Sequence, residues 1–185
     1  MMRLFVALPL PERVRDRLAG LAGGVPGARW EPPENYHITL RFIGEVDEGM
    51  AQDIDEEQDY TAEPNFPVTL EGIGTFGRGD KSRALWAGVA ASDPLRHLRD
   101  KIESAVVRAG LAPEERKFQP HVTLARLKEA ASERVGRFVA ERALFREGPF
   151  MADRFVLYES TLGKSGSVYT ELQSYPLGGW RPDAD

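Results

Sequence analysis

Two tetrapeptides in this chain repeat a pattern suited to proton transfer: His37-Ile38-Thr39-Leu40 and His121-Val122-Thr123-Leu124. The sequence holds only three histidines, and chance would place Thr and Leu at these offsets after two of them on the order of one time in ten thousand. Each copy lies in a run that reads as a β-strand, where alternate side chains share a face. His37 and Thr39 then point one way while Ile38 and Leu40 point into a core, and His121 and Thr123 repeat the arrangement. If the two polar faces meet across a cleft, they present two imidazoles and two hydroxyls to one small ligand. With an ordinary pKa of about 6.5, one ring can take a proton while the other gives one near neutrality. Threonine adds a hydroxyl that can donate to a phosphate oxygen without adding charge.

A lone histidine in a strand is more often a buried residue satisfied by a neighbour. The duplication argues against that reading here. A metal site needs at least a third ligand; His97 falls on a helix and the chain has no cysteine, so no metal and no cofactor is expected.

The elements that must position these residues follow from periodicity and punctuation. Residues 3 to 8, RLFVAL, form a strand that stops at Pro9 and Pro11, and a helix over residues 11 to 22 ends at Gly23 and Gly24. Trp30 to Pro33 is a connector into the strand YHITLRFIGEV. Residues 47 to 60 read as an acidic helix with a solvated outer face and Met50 and Ile54 turned inward. FPVTLEGIGTF and RALWAGVA are strands. DPLRHLRDKIESAVVRAG is a helix capped by Asp93, with proline in its first turn and a closing glycine. FQPHVTLARL is a strand, ERVGRFVAERAL a helix, FMADRFVLYEST one strand and SVYTELQSYPL the last. The order is α+β with a weak internal duplication.

Composition sets the bounds. A length of 185 residues, 42% of them hydrophobic, supports one domain over residues 1–185 with its own core. The absence of cysteine removes disulfides and thiol chemistry and fits a cytoplasmic location. The opening MMRLFVALPLP is read as a buried strand and not as a leader, and no apolar run approaches the ~18 residues of a membrane span. A formal net charge of −5 provides no global field for a long polyanion, so any nucleic-acid contact must be local and short.

Other motifs carry less. Gly72-Ile73-Gly74-Thr75-Phe76-Gly77 matches the dinucleotide fingerprint but leads into a charged loop and a strand, not a phosphate-cradling helix. Gly163-Lys164-Ser165 lacks the first glycine of a phosphate-binding loop, and Arg78-Gly79-Asp80 is a chance turn sequence. No Gly-x-Ser-x-Gly elbow is present, and the carboxylates of the acidic helix face solvent, which disfavours acyl transfer and glycoside hydrolysis.

The paired motifs and their flanks resemble the 2H phosphoesterases, named for two His-x-Thr-x motifs, and most closely the RNA 2′,3′-cyclic phosphodiesterase (2′-5′ RNA ligase) branch. The likeness runs through RLFVALPLP, WEPPENYHITLRFIGEV, RALWAGV, FQPHVTLARL and STLGKSGSVYTELQSYPL. It implies a bilobal, pseudo-symmetric α+β fold, two antiparallel sheets facing across a central cleft with helices outside, and metal-free chemistry by a monomer on RNA 3′ ends bearing a 2′,3′-cyclic phosphate. His37 would be the general acid and His121 the base, with Thr39, Thr123 and Arg126 holding the phosphate. Strict alternation puts Arg126 on the face opposite His121, so its role requires a bulge. Arg41 lies on the His37 face by alternation and is a second candidate phosphate ligand. Lys164, Ser165 and Tyr169 are candidates for the cleft rim, and Phe5, Trp30 and Phe118 for base stacking. Rival readings are a phosphodiesterase for small cyclic phosphates or 2′-5′ oligonucleotides, and an RNA-end binding module whose histidines only bind.

Overall fold

The computed structural model describes residues 1–178; the single-domain reading extends to residues 179–185, which lie outside the described residues. In chain order the elements are β1 (Met2–Pro9), α1 (Glu12–Ala19), β2 (Ala28–Trp30), β3 (His37–Val46), α2 (Glu48–Asp59), β4 (Phe66–Phe76), β5 (Ala84–Val89), α3 (Asp93–Ala109), β6 (His121–Leu127), α4 (Ser132–Glu141), β7 (Arg146–Ala152), β8 (Arg154–Gly163) and β9 (Gly166–Pro176). The strands form two antiparallel sheets, ordered β3-β1-β8-β9 and β2-β6-β5-β4-β7. The fold is α+β, as expected.

Each helix sits where its apolar stripe can be covered. Val14 and Leu18 of α1, Ile54 of α2, Leu95, Leu98, Ile102 and Val106 of α3, and Val135 and Phe138 of α4 are all buried. Helices α2 and α3 pack together, α3 against β3 and α2 against β1 and β9. One continuous apolar cluster joins residues of both sheets, from Leu4 and Ile38 to Leu85 and Val122. No described helix is long and apolar enough to cross a membrane.

Four details differ from the sequence expectations, the first being that α1 ends at Ala19 with Gly20 as its cap, short of Gly23 and Gly24. The connector at Trp30 includes a short strand, β2, which pairs with β6 and becomes the edge of the five-stranded sheet. Ser92, not Asp93, caps α3, its hydroxyl accepting from the Leu95 N–H. The stretch FMADRFVLYEST is two strands: β7 pairs with β4 and β8 with β1 and β9, so the chain changes sheet at Asp153. Alternation of apolar residues is nearly continuous through that point, and periodicity cannot separate one long strand from two collinear ones in different sheets.

The consequence for function lies in β3 and β6. They belong to different sheets yet pack against each other, and each begins with a motif histidine.

Candidate active site

The two motifs fold alike down to their backbone irregularities. In β3, Ala7 pairs with Thr39 and Val6 with Arg41, leaving Leu40 as an extra residue. In β6, Trp86 pairs with Thr123 and Leu85 with Ala125, leaving Leu124 extra. A β-bulge therefore falls at the leucine of each motif and reverses the alternation beyond it. Both strands show the same burial sequence: partly exposed His and Thr, two buried residues, then an exposed one.

The bulge sends the two candidate arginines to different faces. Arg126 is turned onto the histidine face, where its positive charge helps to depress the pKa of both His37 and His121. Arg41 is turned away, against the expectation from strict alternation. It is 8% exposed and donates to the Glu103 carboxylate at 2.7 Å, to the Ala112 carbonyl at 2.7 Å and to the Phe42 carbonyl. This is a buried tether between β3, α3 and the segment after α3, and it holds Arg41 away from the histidine face. Its place on the histidine face is taken by Phe42, 50% exposed.

The two rings are also held alike. His37 Nδ1 lies 2.6 Å from the Asn35 carbonyl and His121 Nδ1 lies 2.6 Å from the Gln119 carbonyl. A carbonyl only accepts, so Nδ1 carries the proton in each ring and Nε2 is left as the reactive nitrogen. In the neutral ring, His37 Nε2 accepts from the Thr39 hydroxyl at 2.9 Å. Asn35 is itself fixed, buried and donating through its side-chain amide to the Ser167 carbonyl at 2.9 Å.

Aromatic rings back each imidazole. Phe5 lies 4.9 Å and Tyr169 5.3 Å from the His37 ring, and Tyr158 stacks on Phe5 at 5.1 Å. Phe76 meets His121 edge-on at 4.8 Å, with Trp86 behind it at 6.2 Å. Trp86 can lie this way because its strand partner Gly74 has no side chain; a Cβ there would stand 2.3 Å from the indole. The glycine-rich stretch at 72–77 is thus a bed for an aromatic ring.

Burial is the first cause of the electrostatics. It pushes His37 down to about 4, aided by the positive charges of His121 and Arg126 and opposed by the Asn35 carbonyl. His121 is lowered by the same combination of burial and Arg126. Tyr169 is raised by burial and by the Glu31 carboxylate, keeping it a neutral phenol. Glu31, which no motif points to, also pairs with Arg126 at 3.6 Å.

The remaining candidates divide. Thr123 shares the His121 face, Tyr169 lies against His37, and Ser165 receives a hydrogen bond from Arg29 through its carbonyl. Lys164 is exposed in the same turn. Phe5 is buried behind His37, Trp30 packs on Phe138 of α4, and Phe118 lies under Arg99. His97 lies outside the site, 3.2 Å from Glu63.

Two imidazoles with matched reactive nitrogens, threonine hydroxyls on their faces and a guanidinium whose charge reaches both rings suit general acid–base chemistry on an anionic ester. A profile of the 2′-5′ RNA ligase superfamily matches residues 9–164. The RNA 2′,3′-cyclic phosphodiesterase of Aeropyrum pernix is 38% identical over 162 residues, which cover 86% of this chain and 90% of that protein. That of Thermotoga maritima is 33% identical over 177 residues, 92% and 93% of the two chains. The crystal structure of E. coli LigT with 3′-AMP matches with a TM-score of 0.78 at 26% identity, over 96% of this chain and 99% of that one. With the profile spanning most of the sequence and these relatives aligned nearly end to end, the chain belongs to the 2′-5′ RNA ligase superfamily.

Proposed function

We propose that this chain hydrolyses the 2′,3′-cyclic phosphate at the 3′ end of an RNA to a 2′-phosphomonoester. The observation that carries the reading is the matched tethering of His37 and His121, each by Nδ1 to the carbonyl two residues before it, which leaves two equivalent Nε2 atoms for proton transfer. His121 Nε2 takes a proton from water as the water oxygen bonds to phosphorus. The bond from phosphorus to the 3′ oxygen breaks, and His37 Nε2–H protonates that oxygen. Thr39, Thr123 and Arg126 donate to the non-bridging oxygens, where charge develops. Phe42 offers an exposed ring on the same face for a neighbouring base.

His37 is held low, at about 4, by burial, so it is neutral near pH 7. A phosphate anion beside the ring favours imidazolium, and the substrate thereby helps to charge its own acid. With a 5′-hydroxyl as nucleophile in the reverse direction, the same groups would make a 2′-5′ linkage.

The test is turnover of a defined oligonucleotide ending in a 2′,3′-cyclic phosphate, with the product identified by mass and phosphatase sensitivity. ADP-ribose 1″,2″-cyclic phosphate and 2′-5′ oligoadenylate are run beside it. A gain of one water and a new phosphatase-sensitive 2′-phosphate supports the reading. Preference for either of the other two substrates redirects it, and tight binding without turnover would make the site a binding module.

A further inference from the structure

The register of the short edge strand places a second arginine beside the first. Arg29 of β2 is the direct cross-strand partner of Arg126 of β6, so both side chains leave the same face of the sheet, the face that carries His121. The flanking Trp30 goes the other way and packs on α4. Like charges directly opposite each other on a strand pair repel. The Glu31 carboxylate lies against Arg126, and among the described residues Arg29 has no carboxylate within ion-pair distance.

Arg29 is nonetheless held in place. Its Nη2 donates to the Ser165 carbonyl at 3.2 Å, in the turn between β8 and β9 that belongs to the other sheet. Gly166 makes room: a Cβ there would stand 3.1 Å from the Arg29 Nη2. The guanidinium therefore bridges the two sheets beside the exposed Lys164, with most of its five donors open to a ligand.

From this juxtaposition we infer a second phosphate subsite, formed by Arg29 with Lys164 at its rim, that binds the 5′-phosphate of the terminal nucleotide while Arg126 holds the cyclic phosphate. Cross-strand partners stand about 4.5–5.5 Å apart at their Cα atoms, and two long side chains can spread from there to consecutive phosphates. In an RNA that 5′-phosphate is the last internucleotide linkage. The subsite thus makes the substrate an RNA end in preference to a bare nucleoside cyclic phosphate. This rests on the reading above, yet it can be measured without turnover.

The experiment is equilibrium binding of adenosine 3′-phosphate and adenosine 3′,5′-bisphosphate to the wild-type chain, Arg29→Gln and Arg29→Lys. One charge-assisted contact corresponds to about tenfold, so the bisphosphate should bind about tenfold more tightly to the wild type. Arg29→Gln should remove most of that advantage and Arg29→Lys should keep part of it. With a single-stranded substrate, Arg29→Gln should also flatten the slope of log affinity against log salt by about 0.7. Equal affinity of the wild type for both ligands overturns the inference, as does an Arg29→Gln change that weakens both alike, which would mark Arg29 as a tie for the turn alone. Failure of the proposed hydrolysis would show in the turnover assay and leave this comparison readable.

Discussion

Phe42 and Arg126 occupy equivalent places, each five residues beyond a motif histidine, because a bulge at Leu40 and at Leu124 turns both onto the histidine face. The duplicated strands present an aromatic ring from one copy and a guanidinium from the other.

Arg126 and Arg41 should therefore fail differently. Arg126→Ala removes a donor from the phosphate and should lower kcat about 100-fold or more with little change in melting temperature. Arg41→Ala strands the Glu103 carboxylate in a poorly solvated place and should cost about 3 kcal/mol of stability, while activity per folded molecule is retained. Denaturant unfolding and steady-state kinetics on both variants check this.

The rate should depend on pH in a way fixed by the burial of the two rings. Since both histidines are depressed, His37 to about 4, the free protein loses its one required imidazolium well before neutrality. The alkaline limb of kcat/KM should fall below about pH 6.5, with apparent values that belong to the coupled pair. The limb of kcat should lie higher, because bound phosphate favours the charged ring. An alkaline limb of kcat/KM above pH 7.5 would contradict the burial argument.

Stability carries the same signature. The unfolded chain protonates His37 at about 6.5, whereas the folded ring resists until about 4, so stability present above pH 6.5 is lost as pH falls through that window. The His37 share is at most about 3 kcal/mol. Replacing His37 by Gln should flatten the pH dependence of the unfolding free energy between pH 6.5 and 4; an unchanged profile would show that other groups dominate.

How far the sequence speaks for the site depends on which forces write into it. The duplicated motifs name His37, Thr39, His121 and Thr123 because side chains repeated at one spacing are visible in the sequence itself. The need for a bulge at Arg126 follows from alternation, yet its position, which also removes Arg41 from the site, is a property of strand pairing that only the register reveals. The carbonyls of Asn35 and Gln119 are backbone groups and leave no residue signal. Arg29 and Glu31 sit in a segment too short to read as a strand, and their relation to Arg126 depends on pairing across about a hundred residues of chain. The same limit merged β7 and β8 into one.

Chelation tests the donor set. Among the described residues no three His, Cys, Asp or Glu side chains gather as a metal site, so neither motif histidine has the further ligands a bound ion would need. Activity should survive excess EDTA. Loss restored by one divalent ion would show that a metal supplies part of the chemistry.

The central claim is that His37 and His121 act as one acid and base pair on one phosphate. It is tested most directly by single-turnover rates of His37→Ala, His121→Ala and the double variant on an oligonucleotide with a 2′,3′-cyclic phosphate end. Each single substitution should lower the rate by roughly 10²- to 10⁴-fold, and the double variant should be little worse than either, since a pair that works as a unit fails as one. A single variant within tenfold of the wild type, or losses that simply multiply in the double variant, would contradict the account.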